Sequence, residues 1–151
     1  MIGPRGLALL KSFERCRLSA YDDGAGYQTI GWGHTGGVKP EDTCTQEQAD
    51  AWLLDDLKVA EWAVKTSVAV AITESQRDAL AVLAYNIGGT AFAGSEVVKA
   101  VNSAHHFVAA RAFLGWTMAG GRPLRGLLRR RLAEASLYAE DPWEKVEQVS
   151  T

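Results

Sequence analysis

Thr45 followed by Gln48 has the spacing of a helix-capping box and opens the strongest helical run in the chain. Trp52, Leu53, Leu57, Ala60 and Val64 line one side of it through about residue 65. The text on either side of this long helix differs in kind. Before it, Ser19 to His34 is punctuated by Gly24 and Gly26 and rich in aromatic and β-branched residues. That pattern predicts a β-hairpin whose turn contains Asp23, then a loop through Gly36, Gly37 and Pro40. After it, Thr73 with Gln76 predicts a second capped helix ending at Gly88-Gly89. Shorter helices are expected near 95–102 and 106–114. An Arg-rich helix is expected from about 124 to 139, with Leu124, Leu128, Leu132 and Ala135 on one stripe. Pro4 suits a first helical turn, and Leu7, Leu10 and Glu14 then mark a helix over about 5–14.

The expected fold is therefore α+β and mainly α-helical, one domain over residues 1–151 folded as two lobes. A small β-containing lobe spans about 15–44 and a linking helix about 45–65. A helical lobe spans about 66–141 with the N-terminal helix added, and a polar tail covers 142–151. A cleft between lobes suits a long polymer. A chain of this length buries about 70% of the surface its unfolded form exposes, so it needs no metal or disulfide staple. Hydrophobic residues make up 47% and charged residues 23%, which excludes disorder. A net charge of −2 argues against a polycation built for nucleic acid. Charge is nevertheless segregated: acids dominate from Glu41 to Glu61, and from Arg122 to Arg131 there are arginines and no acid. The basic block reads either as a solvated helix face or as a surface for an anionic polymer.

No apolar run is long enough to cross a membrane, so no membrane anchor is expected. Leu7 to Leu10 is too short for the core of a signal peptide. Cys16 and Cys44 match no zinc spacing; free thiols are the expectation, with one bridge as the alternative. His105 and His106 are adjacent and point to different helix faces, so no metal site is expected.

Two carboxylates have environments suited to opposed duties. Glu14 ends the first helix on the stripe of Leu7 and Leu10, where partial burial and the negative end of the helix dipole work against its charge. Asp23 sits in a polar turn whose backbone N–H groups can solvate an anion. Thr29 stands in the returning strand, a stiff hydroxyl able to hold a water molecule. This is the equipment of glycoside hydrolysis: one acid that donates a proton, one that stays ionised. Singly, each residue has a duller reading as surface charge, turn former and strand residue.

Their combination is specific. Phe13-Glu14, Tyr21-Asp22-Asp23-Gly24 and Thr29-Ile30-Gly31-Trp32-Gly33-His34-Thr35 together resemble the active-site stretch of phage-type lysozymes, glycoside hydrolase family 24. Tyr85-Asn86-Ile87-Gly88 resembles that family's cleft-lining helix end. Gly126-Leu127, Arg130-Arg131 and Glu134 resemble its C-terminal pattern. The resemblance runs from about residue 5 to 139. It implies a lysozyme-like fold and a muramidase that cuts the β-1,4 bond between N-acetylmuramic acid and N-acetylglucosamine in peptidoglycan. Glu14 would be the general acid, and Asp23 and Thr29 would orient water or stabilise charge.

The resemblance also implies Tyr85 and Asn86 as substrate-binding residues. Trp116, in a loop before Gly120-Gly121, is a further candidate for the cleft rim. Trp52 and Trp62 read as packing on the long helix. Asp56 falls on the same side as Trp52 and Ala60, and the family's arrangement implies a structural pair between His34 and Asp56. No cofactor is implied. The expected protein is a monomer that accumulates in the host cytoplasm and reaches the wall through a separate holin. Two alternatives stay open on sequence: a lytic transglycosylase acting on the same bond, and a non-catalytic wall-binding module.

Overall fold

A computed structural model describes residues 1–143. Helix α1 (Pro4–Phe13) leads into an antiparallel hairpin, β1 (Arg17–Asp22) and β2 (Gln28–Gly31). The long helix α2 (Gln46–Ser67) follows, then α3 (Glu74–Ile87), α4 (Gly89–Ala93), α5 (Glu96–Asn102) and α6 (His106–Ala112). A 3₁₀ turn (Phe113–Gly115), a second small hairpin of β3 (Met118–Ala119) and β4 (Arg122–Pro123), and α7 (Arg125–Tyr138) complete it. Helix α4 and the second hairpin have no counterpart in the expected elements.

Local chemistry sets the boundaries. Thr45 Oγ1 accepts from Gln48 N at 3.1 Å, and Thr73 Oγ1 accepts from Gln76 N at 3.2 Å. Only at Thr73 does the reciprocal bond form, Thr73 N donating to Gln76 Oε1 at 2.9 Å. Helix α3 stops at Gly88, whose φ of +90° a side chain would resist.

Helix α3 is the hub. Seven consecutive residues, Asp78 to Ala84, are buried, so it is covered on all sides rather than amphipathic. It packs against α1, α2 and α7. Leu9 and Leu10 of α1, Leu53 and Leu57 of α2, and Leu137 and Tyr138 of α7 close the core around it. Asp78, charged yet buried, receives the N–H of Gly3 at 3.0 and 3.1 Å and so ties down the N-terminus.

In the first hairpin Tyr21 faces Thr29 and Asp22 faces Gln28, with an irregularity between Arg17 and Tyr21. Residues 42–44 form a single antiparallel bridge to β1: Ala20 N bonds to Asp42 O and Cys44 N to Leu18 O, both at 2.9 Å. Ile30 and His34 exchange two 2.9 Å backbone bonds, folding the chain sharply through Gly33.

Two expectations are corrected, and the structure decides which way one stripe faces. The stripe of Leu124, Leu128 and Leu132 on α7 faces outward, 44%, 43% and 38% exposed. Arg130, Arg131 and Glu134 are buried in their place, because this part of the interior is an ion-pair network. Trp62 is mostly exposed, standing on the solvent side of α2 beside Lys65. Trp143, assigned to the polar tail, is buried in the core; the rest of that tail, 144–151, lies outside the described residues.

Candidate active site

Glu14 is the residue that ends α1. Its N–H bonds to Leu10 O at 3.0 Å, and its φ/ψ of −94°/134° turns the chain out of the helix toward β1. The side chain is largely withdrawn from water, and Arg130 Nη1 donates to its Oε1 at 2.6 Å. Among the described residues no side chain bonds to Oε2. That oxygen faces Gly33: a methyl group placed there would lie 3.8 Å from Oε2 and 3.4 Å from the Tyr85 hydroxyl. Gly33 also holds φ at +105°, so a glycine both makes this turn and keeps the space beside Oε2 open. Tyr85 donates to Trp32 O at 2.9 Å. Burial, reinforced by the nearby Glu14 charge, pushes its phenol well above the ordinary value and keeps it a donor.

Asp23 lies in the exposed turn between β1 and β2. Its Oδ1 accepts from Ala25 N at 2.8 Å and Tyr27 N at 3.1 Å. Asp22 does the same for Gly24 N at 2.8 Å, so paired Asx turns shape the loop. Charge-assisted bonds from backbone N–H groups stabilise a carboxylate without burying it. Thr29 is buried on β2 opposite Tyr21, its hydroxyl 3.5 Å from Tyr27 O. A contact that long binds the hydroxyl weakly.

Beneath Glu14 lies a network that the sequence pattern named without explaining. Glu134, fully buried, accepts from Arg130 Nε at 3.1 Å and from Arg131 Nη1 at 2.6 Å on each oxygen. Arg131 also donates to Trp116 O at 2.9 Å and to Asn86 Oδ1. One carboxylate thus binds two guanidiniums, which in turn hold Glu14, Asn86 and the Trp116 backbone, with Glu14 as the second negative charge of the cluster. Burial opposes the Arg130 charge, but Glu134 and Glu14 outweigh it and push its pKa up. Arg130 was absent from the candidate residues chosen on sequence. Its signal was the i, i+4 spacing from Arg130 to Glu134, readable but indistinguishable from a surface pair.

His34 Nδ1 lies 2.8 Å from Asp56 Oδ2 and Nε2 lies 3.1 Å from Gly36 O. The ring stacks on Trp52 at 4.7 Å with an interplanar angle of 7°. Both ring nitrogens have partners, so this histidine ties the loop after β2 to α2. Trp116 is half-buried against the core, and Asn86 is exposed at the end of α3. A hollow of about 310 Å³ opens between Gly33, Asp56, Tyr85 and Gly88. Two larger hollows, of about 530 and 560 Å³, flank Met1 and Glu61 and contain none of the candidate site residues.

The profile of the family described as Phage lysozyme matches residues 11–134, which takes in Glu14, Asp23, Thr29 and the Arg130-Arg131-Glu134 network. The chain belongs to the phage lysozyme family. It is 40% identical over 141 residues to the endolysin of Acyrthosiphon pisum secondary endosymbiont phage 1, covering 91% of this chain and 97% of that one. Among solved structures it is similar to the muramidase domain of SpmX from Asticaccaulis excentricus. There the TM-score is 0.86 at 38% identity, over 91% of this chain and 97% of the other. It is also similar to a P22 lysozyme variant, at TM-score 0.81 and 40% identity over 92% and 98%. These likenesses extend over more than nine-tenths of the chain, so the phage lysozyme fold is shared as a whole and not as an active-site fragment.

Proposed function

We propose that this phage lysozyme acts as an endolysin, a muramidase that hydrolyses the β-1,4 bond between N-acetylmuramic acid and N-acetylglucosamine in bacterial peptidoglycan. The observation that carries the reading is the division of labour at Glu14. Arg130 holds Oε1, and Oε2 is left to face the open space beside Gly33. In the reaction, the proton on Oε2 passes to the glycosidic oxygen as the bond to the anomeric carbon breaks. Positive charge then grows on the sugar ring, and Asp23, ionised and held by two N–H groups, stabilises it or orients the incoming water. Thr29 would fix that water with its hydroxyl. Tyr85, Asn86 and Trp116 would line the glycan path, and the His34–Asp56 pair would brace the loop that carries Gly33.

The chain works in this proposal as one domain over residues 1–151 and as a monomer, with no cofactor. No described helix is long and apolar enough to cross a membrane. Accumulation in the host cytoplasm and release through a separate holin account for access to the wall.

Clearing of a peptidoglycan suspension tests the assignment. Glu14→Gln should keep the fold, its amide oxygen still able to accept from Arg130, and lose about two to four orders of magnitude in rate. Fragments should end in ordinary reducing sugars. Wild-type rates from Glu14→Gln refute the role of Glu14, and anhydro ends would identify a transglycosylase instead.

A further inference from the structure

Helix α7 buries two of its four arginines, Arg130 and Arg131, while Leu128 and Leu132 of the same helix stand in solvent. Leu124, Leu128 and Leu132 recur every fourth residue and form a row about 12 Å long. Met118, 55% exposed, extends the row: its strand pairs with Arg122–Pro123, and Leu124 N bonds to Thr117 O at 3.0 Å. Arg125 and Arg129 interleave with the leucines at i+3 and i+4 spacing, and both are exposed. Among the described residues no acidic group lies within 4.0 Å of Arg122, Arg125 or Arg129, whereas the two buried arginines of the same helix are held by Glu14 and Glu134. The sequence from Val97 to Ala133 contains no Asp or Glu, so no neighbour along the chain neutralises them. From Met118 to Leu132 the exposed face is therefore basic and apolar; Glu140 and Asp141 follow only beyond the end of α7.

We propose that this face, built from α7 and the β3–β4 hairpin, docks on an anionic phospholipid surface. Charge complementarity selects the class of partner, since exposed guanidiniums favour phosphate groups. The leucines select within that class. A sugar or polyphosphate chain offers nothing for a row of aliphatic side chains, whereas an interfacial helix sinks such a row among acyl chains while its arginines meet the headgroups. Glu14 and its supporting network lie on the inward side of α7, opposite its exposed leucines.

The test is sedimentation of the whole chain with vesicles of phosphatidylglycerol mixed into phosphatidylcholine, against vesicles of phosphatidylcholine alone. Binding is expected only with phosphatidylglycerol and should weaken in high salt. Each arginine near such a leaflet strengthens binding about fivefold, so Arg125→Gln with Arg129→Gln should weaken it about 25-fold. Leu128→Ser with Leu132→Ser should weaken it at least about tenfold, with charge untouched. Both double variants should keep wild-type hydrolysis of purified peptidoglycan, which reports an intact fold. The proposal is overturned by equal binding to neutral vesicles, or by no binding to anionic ones. It is equally overturned by undiminished binding of the leucine variant, or by binding to soluble dextran sulfate as tight as to vesicles; either makes the face a mere ion exchanger.

Discussion

Glu134 carries more of the site than its position, far along the chain from Glu14, suggests. It touches no part of the proposed reaction, yet both guanidiniums that steady the candidate residues depend on it. Arg131 has no other carboxylate partner among its bonds, only the Asn86 amide and the Trp116 carbonyl. Glu134→Ala would leave that guanidinium buried and uncompensated, which costs about 3–5 kcal/mol. Urea unfolding followed by circular dichroism should show the loss as a lower midpoint with little change in slope. Hydrolytic rate should fall as well, because Arg130 loses the anchor that aims it at Glu14. A midpoint within about 0.5 kcal/mol of wild type would show that the network relaxes or admits water.

At the scale of elements, the two threonine-capped helices look alike in sequence and differ in structure. Thr45→Ala and Thr73→Ala each remove one side-chain bond and should each cost about 1 kcal/mol. The glutamines separate them. Gln76 returns a bond to Thr73 N, so Gln76→Ala should cost about 1 kcal/mol. Gln48 returns none and its substitution should be nearly neutral. Thermal midpoints of the four variants decide the matter. The difference bears on the site, since α3 starts at Thr73 and delivers Tyr85 and Asn86 at its far end.

Across the whole molecule, two tyrosines report on the core in alkali. Burial pushes the Tyr138 phenol from its ordinary value near 10 up to about 12, and Tyr85 is raised further. The folded state keeps both protons where the unfolded chain releases them. Stability is therefore undiminished by these groups below pH 10 and falls as pH rises from 10 through about 12. Unfolding midpoints measured between pH 9 and 12 should drop over that window, and phenolate absorbance from these two residues should rise with unfolding. Tyr138→Phe should show a shallower decline; an identical pH slope would place the alkaline sensitivity elsewhere.

The amino-acid sequence alone determined whatever depends on neighbours a few residues away. Capping residues set the starts of α2 and α3, Asx and glycine turns shaped the hairpin around Asp23, and the spacing of Glu14, Asp23 and Thr29 marked the family. Tertiary structure alone decided which side of α7 is inside. Apolar periodicity assigns leucines to the interior, and that rule fails where the interior must supply charge. Burial of Arg130 and Arg131 is stable because Glu134 and Glu14 together balance their two charges, and Glu14 and Asn86, more than forty residues away in sequence, accept from them. The same logic put Trp62 outside and Trp143 inside: a side chain's exposure depends on what packs across from it, and no local pattern encodes that.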